Sequence, residues 1–385
     1  MRVFEAPVLA AAILLTPGLA LAQAPKEARL GAAAATLKEP FGLVNAVREL
    51  SDGRVVVAAP LDGKVVVVDP AFRAVRQLGR EGQGPGEYRQ PDAAWPFPGD
   101  STLIVDLGNA RLSILAADGS FGRSMPMTIG RFNPGAGRPP AFVIPRGVDA
   151  SGRVYFQGSG MGQDSTEILR IDARGKVDSV GRVKLPSTDR QSSGGANQRE
   201  VRMRPIPFAG TDGWAVAPNG SVGVARVGDY HVDWIGAAAT KSGRPVAVDK
   251  VRIGSKEKEE WALQQQLGGG IGVAVEANNG DVRVSFRRGA GGQEPDLSGL
   301  NFPAEKPYFD ATGVAADGSG RLWVSRSVPA GQSRLYDVFG PDGNLIGSVR
   351  FPEGRRLVGF GKSSLYAVQI DDDGLNTLER YALPL

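Results

Sequence analysis

The chain has 385 residues, among them 53 Gly, 27 Pro and no Cys, and its 45 Lys and Arg against 41 Asp and Glu leave a formal charge of +4. Without Cys, disulfides, thiolate metal sites and a cysteine nucleophile are excluded. The basic excess is small and scattered, with no run of five like charges, so the basic stripe interleaved with aromatics that nucleic-acid binding requires is excluded too. A hydrophobic content of 42% beside so much Gly and Pro reads as a turn-dense β protein and not a disordered chain.

Residues 1–22 read as a signal peptide: Arg2, an apolar run from Val8 to Leu15, and the small-x-small triplet Ala20-Leu21-Ala22 before Gln23. The run is shorter than the roughly 20 apolar residues of a membrane span. The expectation is a periplasmic or secreted protein with no transmembrane segment after cleavage. The alanine-rich residues 23–35 are expected to be a flexible leader, and residues 36–385 a single domain that opens with a strand over 36–44.

From residue 45 one design repeats. Asp52-Gly53 and Asp62-Gly63 are turn pairs between β-branched runs, and such pairs favour tight hairpins because their turns need positive φ. A fourth strand at 75–78 completes the unit, and residues 80–91, REGQGPGEYRQP, make the joint to the next. Matching strands recur at 101–105, 152–156, 220–224, 320–324 and 364–368, with partner strands at 112–115, 168–171 and 335–339. Units of about four short strands repeating every 40–50 residues or so are the pattern of a β-propeller. Six units are counted. The last begins near Arg356 and supplies three strands, and the strand at 36–44 is expected to complete it, closing the ring and removing edges that would template aggregation.

Residues 255–307 interrupt the pattern between units four and five. SKEKEEWALQQQL (255–267) reads as a helix, with Ser255 as N-cap, acid in its first turns and Gly268 as its stop. The segment 280–286 has the look of a repeat strand and, with 271–276 before it, is the alternative seventh blade. The Gly/Pro-rich stretch 287–307 offers it no partner strands, so helix, hairpin and loop read as one insertion. Insertions of this length in compact folds are often functional. A second long connector spans 187–208.

GxGPGE followed by an aromatic and a nearby proline is similar to the inter-blade joint of NHL-repeat propellers. The chain also has an RLWV strand (Arg321 to Val324), an entry made by Phe302, Pro303, Lys306, Pro307 and Phe309, and a closing LERYALP (Leu378 to Pro384). With these it resembles the exported six-bladed β-propeller proteins of environmental bacteria over nearly all of the chain beyond the leader. The resemblance implies the fold. Most members have no assigned activity, and no catalytic residue is carried over from it.

The glycine run 82–86 is followed by no helix, so it lacks the helix N-terminus of a phosphate loop and reads as a tight joint with Tyr88 wedged between blades. The single histidine, His231, lies in DYHVDW. Alternation puts Tyr230, Val232 and Trp234 on one face and His231 with Asp233 on the other. A His beside an Asp is a candidate acid–base pair, but one His cannot build a multi-His metal site and no GxSxG motif is present; an ordinary strand histidine is the commoner role. Propeller enzymes of the gluconolactonase type bind a divalent cation in the channel through Glu, Asn and Asp, and oxygen ligands of that kind would suit calcium. The inner strands offer Asn45 and Glu49 and little else, since Asp149, Asp317 and the run Asp371, Asp372, Asp373 read as turn residues.

In a propeller the inter-blade joints and the loops between second and third strands share one face. That face is expected to collect Glu87, Asp106, Asn109, Arg111, Arg146, Arg204, Asp229, His231 and Arg326, and arginines there could hold carboxylate or phosphate groups bidentately. Arg199 and Arg202 lie in the same connector as Arg204. The expectation is a monomeric, non-enzymatic scaffold that binds an unidentified protein or a small anionic ligand at the channel mouth, with no cofactor. The alternative is a calcium-dependent hydrolase or lyase of the propeller lactonase type.

Overall fold

The computed structural model describes residues 26–130, 141–160, 163–193, 200–267, 270–278, 281–289 and 296–384, and the expected signal peptide lies outside them. Six antiparallel sheets form the blades of a propeller. From the innermost strand outward, blade 1 is Val47–Glu49, Val55–Ala59, Lys64–Val68 and Val75–Leu78, and blade 2 is Pro91–Phe97, Ser101–Asp106, Arg111–Leu115 and Phe121–Pro126. Blade 3 is Pro145–Val148, Val154–Gln157, Ser165–Ile171 and Val177–Lys184, and blade 4 is Gly213–Val216, Val222–Arg226, His231–Ile235 and Thr240–Ser242. Blade 5 is Phe309–Ala316, Leu322–Arg326, Leu335–Phe339 and Leu345–Arg350, and blade 6 is Arg355–Phe360, Ser364–Ile370 and Asn376–Ala382 with Ala35–Thr36 outermost.

Strand geometry explains the core. Successive side chains of a strand point to opposite faces, and each face of a blade meets a different neighbour. Val55 and Val57 therefore pack with Val358 and Tyr366 of blade 6, while Val56 and Ala58 pack with Ala94 and Ile104 of blade 2. That is why Val55–Ala59 is buried at every position and apolar throughout. Six hydrophobic clusters result, one in each gap between adjacent blades. Each fully buried Val or Leu contributes about 1.5–3 kcal/mol.

The turns at the far ends of the inner strands carry a fastening that the repeat preserves. Asp149 Oδ1 accepts from the Ser151 and Arg153 amides at 2.9 and 3.1 Å, and Oδ2 accepts from Arg153 Nε at 2.6 Å and the Tyr155 hydroxyl at 2.9 Å. Asp317 does the same for Ser319, Arg321 and the Trp323 indole, at 2.9, 3.1, 2.7 and 2.9 Å. Both aspartates are turn residues, as expected, and so is Asp371, which accepts from the Asp373 and Leu375 amides.

The N-terminal segment closes the ring. Ala35–Thr36 pairs with Arg380 and Glu379, the Leu37 amide donates to the Leu378 carbonyl at 2.9 Å, and Phe41 forms an antiparallel bridge with Asn376. The ladder is shorter than the expected 36–44 strand because Pro40 has no amide to donate and restricts Glu39 before it. The leader expected to be flexible over 23–35 is corrected in part: Glu27–Arg29 adds to blade 5 as a parallel fifth strand against Ser348 to Arg350, Leu30 is buried, and Glu27 pairs with Arg350 at 2.7 Å.

The alternative seventh blade does not form. Ile271–Asn278 and Asp281–Arg288 make a two-stranded sheet of their own. The helix before it spans Ser255–Leu267, as expected. Its start is fastened by Glu257, whose carboxylate accepts from the Gly254 amide and, across to blade 5, from the Ala330 amide, both at 3.0 Å.

Ring closure has a measurable cost when broken. Phe41 is 0% exposed, so Phe41→Ala should lower stability by about 3–5 kcal/mol. Ile346→Ala, at a side chain 47% exposed, should change it by less than about 0.5 kcal/mol. Urea midpoints of the two variants test this.

Candidate functional site

The joint REGQGPGEYRQP and the turn after the second strand of blade 2 form one hydrogen-bonded unit. Tyr88 is buried, and its hydroxyl donates to the Leu78 carbonyl at 2.9 Å and accepts from the Val65 amide at 3.1 Å. Glu87 accepts from the Gly84 amide at 2.7 Å and from Arg80 Nε at 2.8 Å. Gly82 has φ +153°, and a Cβ there would sit 2.2 Å from the Glu87 carboxylate, so the loop needs glycine at that position. Asp106 accepts from the Arg89 and Gln90 amides and from Asn109 Nδ2, and Arg111 donates to the Gln83, Gly84 and Glu87 carbonyls. Glu87, Asp106, Asn109 and Arg111 are thus brought together with their polar groups on one another and on the loop backbone.

Other expected residues form equivalent clamps. Arg326 donates to Asp337 at 2.8 and 2.5 Å, and the buried Tyr230 hydroxyl donates to the same carboxylate. Burial, then the Asp337 charge, raises the Tyr230 phenol well above its ordinary value. On blade 4, Arg226 bridges Asp212 at 2.9 Å and Asp233 at 2.7 Å. His231 lies between Asp229, 2.5 Å from Nδ1, and Asp233, 3.2 Å from Nε2. Tyr230, Val232 and Trp234 are buried on the face opposite His231, as the alternation predicts. Arg204 and Arg202 lie on the strand Glu200–Pro205, paired with Thr188–Ser193, and their side chains, with all of Arg199, fall outside the described residues.

Arg146 is different. In blades 2 and 3 the inner strand has a bulge near its start: Pro91 and Ala93 pair with consecutive residues, as do Pro145 and Gly147, leaving Asp92 and Arg146 as the extra residues. Bulges re-aim a side chain out of the ladder. The Arg146 guanidinium stacks 5.2 Å from the Trp214 ring centroid on blade 4 and donates to the Ala311 carbonyl on blade 5 at 3.5 Å. Arg356, second residue of the blade 6 inner strand, donates from Nη2 to the Val44 carbonyl at 2.7 Å and to Asn376 Oδ1 at 3.3 Å. Among the described residues neither arginine has a carboxylate partner. Asp310, at the start of the blade 5 inner strand, is exposed, and its Oδ1 accepts from the Thr312 amide and hydroxyl.

Desolvation lowers the Arg146 guanidinium, offset by the Asp310 charge. It pushes Arg356 down to about 10, with the acidic groups of Tyr336 and Asp310 opposing the effect and the like charges of Arg334 and Arg288 adding to it. Both arginines remain charged at neutral pH. Both also keep intermediate solvent exposure, as side chains do that line a channel inside dense protein.

The insertion covers part of this mouth. Its helix is seated at blade 5 through Lys306, which contacts Glu260 at 3.2 Å and the Val328 carbonyl at 3.0 Å, and Trp261 packs on Phe302 of the same insertion. Its hairpin reaches blades 2 and 3. Arg288 pairs with Asp92 and exchanges hydrogen bonds with Gln90, and Phe286 is buried against Phe142 and the cluster between those blades.

The calcium reading draws on Asn45 and Glu49, and these diverge. Asn45 Nδ2 donates to Asp92, whereas Glu49 accepts from the Tyr366 hydroxyl and the Lys362 amide at the opposite end of its strand. Among the described residues no three His, Asp or Glu side chains group as a metal set. A shallow cavity of about 190 Å³ opens on the opposite face between blades 4 and 5, by Trp234, Lys241 and Pro341, and none of the candidate residues lines it. Sequence reading missed Asp92, Arg288, Asp310 and Arg356. Aligning the inner strands of the repeats would not have flagged Arg356, because register sets Arg146 against Val358.

No protein-family model matches the chain, and no curated protein matches it. Among solved structures it is similar to regucalcin, a calcium-binding protein of Agrobacterium tumefaciens (13% identity, 93% of this chain and 97% of that one, TM-score 0.42). It is also similar to a gluconolactonase of Xanthomonas campestris (13%, 93% and 95%, 0.40) and to a streptogramin B lyase (11%, 90% and 96%, 0.43). Likenesses this slight carry no argument about what the chain does.

The joint sets a pH dependence. The Gly84 amide, then Arg80, hold the Glu87 carboxyl below its ordinary value. A folded pKa below the unfolded one, about 4.3, stabilises fully above that pH and loses its effect as pH falls through the lower folded value. The stability gap between the wild type and Glu87→Gln should hold constant from pH 7 to about pH 5 and shrink below about pH 4, as read by urea midpoints across that range.

Proposed function

We propose that the protein is an exported β-propeller that binds a small organic anion at its channel mouth and carries out no covalent chemistry on it. The observation behind this reading is the pair Arg146 and Arg356, two guanidiniums on inner strands that the fold leaves without a carboxylate among the described residues. A charge left unpaired inside dense protein is costly even when partly exposed. Three other arginines of this face, Arg111, Arg226 and Arg326, are held by aspartates. A site that sets two cations against one exposed carboxylate, Asp310, suits a ligand that arrives with the missing charge, and hydrogen bonds to charged groups contribute roughly 1.5–3 kcal/mol each. The leader expected over residues 1–22 supports binding in the periplasm or outside the cell.

A thermal-shift panel of acetate, succinate, phosphate and sulfate against sodium chloride tests the binding. An anion at 100 times its dissociation constant should stabilise the wild type by about 2.7 kcal/mol. Arg146→Met should retain its ligand-free stability and lose most of that response, which separates specific binding from the general stabilisation by excluded salts. A variant that responds as the wild type does overturns the reading. Export predicts a mature chain beginning at Gln23, read by intact mass after expression in a bacterium with its secretion system.

A further inference from the structure

The shape of the ligand can be inferred from the placement of the two arginines, an inference that rests on the anion site proposed for the channel mouth. In a six-membered ring, blades three apart face each other across the axis. Arg146 on blade 3 and Arg356 on blade 6 are such a pair, both near the start of their inner strands, with Arg356 two positions ahead of Val358, the bulge residue that matches Arg146 in register. A guanidinium has five N–H donors in a planar fork. Arg146 uses one for a 3.5 Å contact to the Ala311 carbonyl, and its guanidinium lies over the Trp214 ring. Arg356 uses Nη2 for Val44 and Asn376. Each arginine therefore keeps donors in reserve, and a planar carboxylate matches that fork.

We propose that the mouth takes a small dicarboxylate, one carboxylate on Arg146 and the other on Arg356. Asp310 limits what lies between them. It is exposed, with Oδ1 taken up by Thr312, and a third negative group in the middle of the ligand would meet its charge. Repulsion of that kind sets specificity against near relatives of a ligand. Tricarboxylates are therefore rejected, and a middle that is neutral or bears hydrogen-bond donors is accepted.

Calorimetric titration of the full chain with succinate, glutarate, adipate, acetate, citrate and phosphate tests this. One of the three dicarboxylates should bind at least about tenfold tighter than acetate, a factor equal to about 1.4 kcal/mol, and citrate should bind weakly. Arg146→Met and Arg356→Gln should each bring that dicarboxylate to the acetate level, and Asp310→Asn should admit citrate. Arg146→Met keeps the test decisive even where Arg356→Gln fails to fold. Acetate or phosphate binding as tightly as the best dicarboxylate overturns the bridging ligand and leaves the anion site standing. No binding by any of the six overturns both.

Discussion

The bridge between Phe41 and Asn376 is the interaction on which the rest of the structure depends. Six sheets can pack around a channel only if the last is completed by a segment from the other end of the chain, and this bridge is where that segment locks. Its reach goes beyond closure. Asn376 Oδ1 accepts from the Val44 amide and from Arg356, and Arg356 also donates to the Val44 carbonyl. The closing segment therefore holds Arg356, near the start of the blade 6 inner strand, in place.

The upper face shows how a single residue type can serve two ends. Arg111, Arg226 and Arg326 sit at the turn between second and third strands, and each holds a joint or a strand end by pairing with an aspartate. The carboxylates Asp106 and Asp337 are fully buried, so removing either partner would strand a charge. Arg146 and Arg356 sit one layer further in, where the described neighbours supply carbonyls, an amide and an indole face. Proteins tend to break their own rules of charge pairing at functional sites and compensate elsewhere. Here the compensation is the dense hydrophobic packing in all six gaps between blades.

The insertion ties the two halves of the mouth together. Its helix rests at blade 5, and Arg288 and Phe286 engage blade 2 and the gap behind it, Arg288 reaching Asp92 nearly 200 residues away in sequence. Asp92 is central to this. It is turned out of its strand by a bulge, then neutralised by Arg288 and bonded by Asn45. Positive charge from Arg288 in turn adds to the field at Arg356.

Local chemistry made the propeller legible from the chain. Asp-Gly pairs and β-branched runs announce hairpins at regular spacing, so the blade count, the closing strand, the helix at 255–267 and the wedge of Tyr88 can all be read from residue order. The glycine loop at 82–86 was also readable as a joint, because no helix follows it. The aspartates of the strand turns were readable because each bonds to residues within a few positions of itself. Nothing in residue order says which arginines are paired. Arg111 and Arg146 look alike in the sequence and differ only in whether a carboxylate from another segment lies beside them. Only the tertiary structure decided that Asp92 and Arg146 leave their ladders at bulges, that Arg146 reaches blades 4 and 5, that Arg356 is held by the closing segment, and that the insertion reaches back to blade 2. The reason is physical: turns and strand periodicity are set by neighbours in the chain, whereas the pairing of a charge is set by whatever the folded ring brings next to it.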